Sequence, residues 1–195
     1  MNRFRRKRFK HFFELMQITL SARILDVGGL PDDWVELGYK GSVICVALSP
    51  LHEGQWGDGN IIYLRQEATA LPYPDKSFDV AYSNSLLEHV GRDNQPKVAA
   101  EIKRVARRYW VQTPYRYFPV EPHYYGLFYH QMPRALRRLI AAYWTPLTEK
   151  RNCYLSEVDT IYLLDTQELQ ALFSEAEVIQ EKFLGLTKSV IAVRT

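Results

Sequence analysis

The sequence predicts an α/β domain in which a mostly parallel sheet carries helices on both faces and ends in a reversed hairpin strand. Three observations predict it. Short apolar runs bounded by turn residues alternate with helical patterns along the chain, as repeated βαβ units require. Seven such runs read as strands, at residues 23–27, 42–48, 61–64, 78–83, 108–112, 178–183 and 187–193. Only Leu184-Gly185-Leu186 separates the last two. A parallel pair needs a crossover of about a dozen residues, so these two must be antiparallel neighbours.

Residues 1–20 form a distinct N-terminal unit. Arg3, Arg5, Arg6, Lys7, Arg8 and Lys10 supply six positive charges, and without them the net charge of +3 becomes 3 − 6 = −3. The basic character therefore belongs to one end and the body is mildly acidic. Phe9, Phe12, Phe13, Met16 and Leu20 recur at helical spacing, which makes this end an amphipathic helix. Its apolar side suits docking on the domain. Its cationic side suits contact with anionic lipid headgroups, which would place a cytoplasmic protein at the inner face of the membrane. No recognition motif accompanies the charge, so nucleic acid is disfavoured as a partner.

The second unit, residues 21–195, carries the sheet. The strand at 23–27 runs into Gly28-Gly29, a tight turn that lets backbone approach a ligand without a Cβ in the way. Asp26, at the strand end, can order that turn or accept hydrogen bonds from a cationic amino group. The next strand buries Cys45, one of two cysteines, with Cys153 far downstream; this usage fits reduced thiols of a cytoplasmic protein. Pro72, Pro74 and Asp75 form a turn entering the strand at 78–83. Val98, Ala99, Ile102, Val105 and Ala106 line one face of a helix over 97–105. Residues 114–163 are irregular and rich in Tyr, Pro and His, which marks an inserted lid. Asp165 and Thr166 cap a helix carrying Leu169, Leu172 and Phe173. The absence of any apolar run near 20 residues argues against a membrane span. No apolar stretch with a cleavage site follows the first charges, so no signal peptide is expected.

Several motifs resemble class I methyltransferases that use S-adenosylmethionine. Ile24-Leu25-Asp26-Val27-Gly28 is similar to the family's first strand and glycine turn, although the next two glycines of that pattern fall on Leu30 and Asp32. The second strand of the family ends in an acid that holds both ribose hydroxyls, and here Ala47 stands at that position, followed by Leu48-Ser49. Gln66-Glu67-Ala68, Leu71-Pro72-Tyr73-Pro74, Ser77-Phe78-Asp79 and Asn84-Ser85-Leu86-Leu87-Glu88-His89 follow with the family's spacing, as do Glu101, Arg104, Val105 and Lys188-Ser189-Val190. The resemblance covers about residues 23–114 and the C-terminal hairpin. It implies a Rossmann-like, seven-stranded sheet and S-adenosylmethionine as cofactor. It implies that Gly28 and Gly29 border the methionine part with Asp26, Ser83 and Asn84, that Leu48 packs near the ribose, and that Glu67 and Ala68 hold the adenine.

The acceptor side is read from chemistry. A hydroxyl acceptor needs a base as methyl transfer develops. His89, just past the fourth strand, is one candidate; Glu121 and His123, in the Pro119-Val120-Glu121-Pro122-His123 run after the fifth strand, are the others. A helix-terminal histidine and a purely structural lid are the competing readings. Glu121, His123 and His130 match no recognised zinc spacing, so no metal is expected. The tyrosine-rich insert looks like those of methyltransferases of cell-envelope polysaccharides. A small-molecule or glycan acceptor, methylated at oxygen, is therefore the expectation. The alternative is a non-catalytic relative serving as a binding or scaffold module, to which Leu30, Asp32 and Ala47 point. A nicotinamide-dependent oxidoreductase is disfavoured because no G-x-G-x-x-G follows the first strand.

Overall fold

Strands whose successive side chains serve opposite faces need apolar cover on both sides, and the helices provide it. The computed structural model describes residues 3–50, 53–121, 126–127, 132–133, 135–136 and 161–195. Its sheet contains β1 (Ile24–Val27), β2 (Val43–Ala47), β3 (Gly54–Trp56), β4 (Ile61–Arg65), β5 (Phe78–Asn84), β6 (Ala106–Pro114), β9 (Glu177–Phe183) and β10 (Leu186–Arg194). The spatial order is β3-β4-β2-β1-β5-β6-β10-β9. The five strands from β4 to β6 run parallel. β10 is antiparallel to β6 and to β9, giving the expected terminal hairpin. A small ribbon, β7 (Val120–Glu121) with β8 (Gly126–Leu127), stands apart.

The sheet has eight strands and not seven, because β3 pairs antiparallel with the edge of β4. Gly54-Gln55-Trp56 carries no apolar run, so hydrophobic patterning gives no sign of it.

On one face, α1 (Arg3–Met16) and α2 (Pro31–Leu37) cover Ile24, Val43, Cys45, Tyr63, Tyr82 and Trp110. On the other, α3 (Gln95–Val105) and α4 (Thr166–Leu172) cover Leu25, Val27, Ala81, Tyr109 and Val111. Most of the apolar stripe of α1 is spent on this core, but Leu20, read as its last member, lies beyond the helix end at Met16 and is 65% exposed. Phe9, Phe12 and Met16 are fully buried, Phe9 packs edge-on against Trp34 at 5.0 Å, and Phe12 lies 4.8 Å from Tyr82. Each such burial contributes about 1.5–3 kcal/mol. A lipid contact of α1 would therefore be left to its charged side, where Arg5 pairs with Asp33 at 2.7 Å and Arg6 with Glu36 at 3.6 Å, and to the exposed Phe4 and Leu15. Among the described residues no helix is long and apolar enough to cross a membrane.

Local chemistry fixes the element ends. Asp165 caps α4 through a reciprocal pair: the Glu168 N–H donates to Asp165 Oδ1 at 2.9 Å, and the Asp165 N–H donates to Glu168 Oε2 at 2.9 Å. Asp165→Ala should lower stability by about 0.5–2 kcal/mol, read as a shift in a urea transition; an unchanged midpoint would contradict the capping account. The turn before β5 is held by α3. Arg104 donates to the carbonyls of Leu71 and Tyr73 and pairs with Glu101, whose carboxylate in turn accepts the Leu71 N–H at 2.6 Å. Lys76 closes the C-terminal end of the same helix, its N–H on Arg104 O at 2.8 Å. These bonds explain why Glu101 and Arg104 accompany the proline-rich turn.

Candidate active site

In an open parallel sheet, ligands sit beyond the carboxyl ends of the strands where the strand order reverses. Here the chain leaves β1 toward β2 and β4 on one side and returns to β5 and β6 on the other. The crevice therefore opens between the ends of β1 and β5.

Asp26 stands near the end of β1 and is 2% exposed. Its Oδ2 accepts a hydrogen bond from Trp34 Nε1 at 2.7 Å. Its Oδ1 is buried with no partner among the described residues. Burial, which disfavours the charged form, pushes the carboxyl up to about 7; the Trp34 hydrogen bond opposes this, and the charge of Asp33 adds to it. A buried carboxylate with an unclaimed oxygen suits a cationic amino group.

The two glycines have structural reasons of their own. A Cβ on Gly29 would fall 1.9 Å from Asp26 Oδ2, so the carboxylate rests against bare backbone. Gly28 has φ +85°, its Cβ would meet Leu86 at 2.8 Å, and its N–H donates to Val46 O at 2.7 Å. Their presence alone therefore says little about a ligand.

Ser83, fully buried, and Asn84 end β5 beside the same crevice. The Ser83 hydroxyl donates to Val27 O at 2.8 Å, tying the two strand ends together. The Asn84 side-chain oxygen accepts from Arg8 of α1. Ser85 follows with φ +59° and is held by Gln112, whose carbonyl accepts its N–H at 3.0 Å. A non-glycine residue in the left-handed region is costly and persists where surroundings impose it.

The neighbouring strand ends, β2 and β4, are joined by the Gln66 N–H on Ala47 O at 3.1 Å. Leu48 is 58% exposed beside them, with no acid at position 47. Glu67 is exposed and its carboxylate accepts the Thr69 N–H at 3.4 Å, shaping the turn; Ala68 is buried in the core below.

Past the end of β5, His89 is exposed, with Nε2 4.0 Å from Glu88 Oε1. Glu88 is 3% exposed and accepts a hydrogen bond from Thr113 Oγ1 at 3.1 Å, linking the segment after β5 to the end of β6. Glu121 belongs to β7. His123, His130 and Cys153 lie outside the described residues, as does most of the segment read as a lid. An open depression of about 340 Å³ lined by Thr19, Ser21, Ala22, Asp79, Arg107 and Arg108 lies at the opposite, amino-terminal rim of the sheet, away from this chemistry.

Sequence reasoning gave no site role to Trp34, Arg8 or Glu88. Arg8 left one signal: it sits one turn before Phe12, inside the apolar stripe of α1. A charge in such a stripe is buried and must find partners.

Comparison with known proteins agrees with this fold. The family model described as a methyltransferase domain matches residues 28–109. No curated protein matches the chain. A protein from Anabaena variabilis assigned as a methyltransferase of an antibiotic biosynthesis pathway superposes with a TM-score of 0.60 at 17% identity, over 90% of this chain and 64% of its own. Phosphoethanolamine N-methyltransferase 2 of Haemonchus contortus, in complex with S-adenosyl-L-methionine, gives 0.58 at 15% identity, over 90% and 38%. A Rhodobacter sphaeroides protein assigned as a Zn-dependent alcohol dehydrogenase gives 0.58 at 12%, over 89% and 83%. The chain thus spans less than two thirds of the first two, and at such identities the likeness is one of fold. The chain has the class I methyltransferase fold, with the methyltransferase domain signature over residues 28–109.

Proposed function

We propose that the protein is a methyltransferase that uses S-adenosylmethionine and acts at oxygen on a small molecule or glycan in the cytoplasm. The observation that carries the cofactor reading is the buried, unclaimed Oδ1 of Asp26 at the crevice between β1 and β5. The cofactor supplies an activated methyl group when bound. Asp26 would hold its ammonium, Gly28 and Gly29 would border its methionine part, Leu48 would pack near the ribose, and Glu67 with Ala68 would hold the adenine. His89 would take the proton of an acceptor hydroxyl, with Glu121 and His123 binding polar groups of the acceptor or serving as base. Alignment of the acceptor opposite the methyl group is the chain's largest contribution, since orientation supplies several kcal/mol of a barrier.

A second reading, a non-catalytic binding module on the same sheet, is favoured by Ala47 at the place of the ribose-holding acid and by Leu30 and Asp32 in the glycine turn. Thermal denaturation with S-adenosylmethionine separates the two. Cofactor at 100 times its dissociation constant should stabilise the protein by about 2.7 kcal/mol. No shift at millimolar cofactor would favour the binding module.

A further inference from the structure

We propose that Arg8 is a positioning residue for the crevice: it sets the orientation of the Asn84 amide, so that Asn84 donates a hydrogen bond to the carboxylate of the methyl donor's amino-acid tail. The inference rests on reading the crevice as an S-adenosylmethionine site.

The guanidinium of Arg8 is 8% exposed. One arm donates to Asn84 Oδ1 and the other to Glu181 Oε2 at 2.7 Å. The Ser189 hydroxyl donates to that same Glu181 oxygen at 2.5 Å. A chain of bonds therefore runs from the terminal hairpin through α1 to the end of β5. Guanidinium offers five donors and no acceptor. Only the oxygen of the Asn84 amide can face it, so the amide NH₂ group is on the other branch. An amide that is free to turn offers a ligand either end; this one is committed to donating.

The partner of that donor follows from the neighbouring strand. Asp26 lies opposite Tyr82 in the pairing of β1 with β5, and Asn84 is two residues beyond Tyr82, on the same face. Asp26 brings an unclaimed carboxylate oxygen to that face, while Asn84 brings an N–H donor. An acceptor for a cation beside a donor for an anion complements the two charged ends of an amino acid. The charge of Arg8 is already met by Glu181 at 2.7 Å, although its Nε is buried with no partner among the described residues. The left-handed turn at Ser85, directly after Asn84, is pinned by Gln112 and fixes the end of β5.

The test compares two ligands that share a nucleoside, S-adenosylhomocysteine, which has the amino-acid tail, and 5′-methylthioadenosine, which lacks it. Asn84→Asp keeps a partner for Arg8 but replaces the N–H with an oxygen. It should weaken S-adenosylhomocysteine by more than about tenfold and leave 5′-methylthioadenosine within about twofold, as expected for losing a bond to a charged group. The double variant Arg8→Met, Glu181→Met removes the lock without stranding a charge, and should show the same selective loss to a smaller degree. Equal affinity of wild type and Asn84→Asp for S-adenosylhomocysteine would overturn the proposal, as would equal losses for both ligands. If wild type binds neither, the cofactor reading fails and takes this proposal with it.

Discussion

Asp26→Asn should make the protein more stable at pH 8 by about 2–4 kcal/mol and leave its stability almost unchanged at pH 4. The carboxyl titrates at about 7 in the folded chain against an ordinary value of 3.8. Between these values the folded protein holds a proton that the unfolded chain has lost, so stability falls as pH rises through this window. Above about 7 the penalty is complete, and a rise of about three units corresponds to about 4 kcal/mol at most. Asparagine removes the charge while its side-chain oxygen still accepts from Trp34 Nε1. At pH 4 the wild-type group is already neutral and the two proteins converge. Urea denaturation across pH 4–8 measures the difference, and a gain independent of pH would refute the account. The variant should also lose affinity for a cationic amino group, because the negative charge that disfavours folding is the one that would meet it. Such conflicts between stability and binding are expected where a buried charge serves a ligand.

How much of this was legible in the sequence depends on how local each signal is. The parallel strands, the terminal hairpin and the cap at Asp165 follow from patterns within a few residues, and each falls within two or three residues of its place. β3 escaped because three residues with one aromatic carry no period. At the crevice, strand-end residues such as Asp26, Gly28 and Asn84 were identifiable, since alternation and turns mark where strands stop. Their partners were not. Trp34 meets Asp26 across eight residues, and Arg8 meets Asn84 across 76 and Glu181 across 173. Long-range pairs of polar groups have no spacing signature, only the anomaly of a charge within an apolar stripe. The glycines carried less information than they suggested, because Asp26 and Leu86 occupy the space that a Cβ would need.

Arg8→Met alone should cost about 3–5 kcal/mol near neutral pH, the usual consequence of leaving one member of a buried ion pair uncompensated. The partner side chains are 8% and 17% exposed, so solvent screens the pair only weakly. In the intact protein, burial raises the Glu181 carboxyl, but the Arg8 charge and the hydrogen bonds from Ser189 and Arg8 outweigh it and hold the group below its ordinary range. A depressed carboxyl contributes stability above its unfolded value of about 4.5, and that stability is lost as pH falls through the folded value. The penalty of Arg8→Met should therefore shrink on acidification, when Glu181 can take a proton and cease to be an unpaired charge. This slope is opposite to that of Asp26, so the two carboxylates separate in one pH series. Adding Glu181→Met should recover most of the loss at neutral pH, because paired apolar replacements of a buried ion pair are often neutral or stabilising. Two single variants and the double, compared by urea denaturation, give the coupling directly. If the double variant is as unstable as the sum of the singles, Arg8 and Glu181 are not acting as a pair, and the bond network joining α1 to the hairpin does not hold the helix in place.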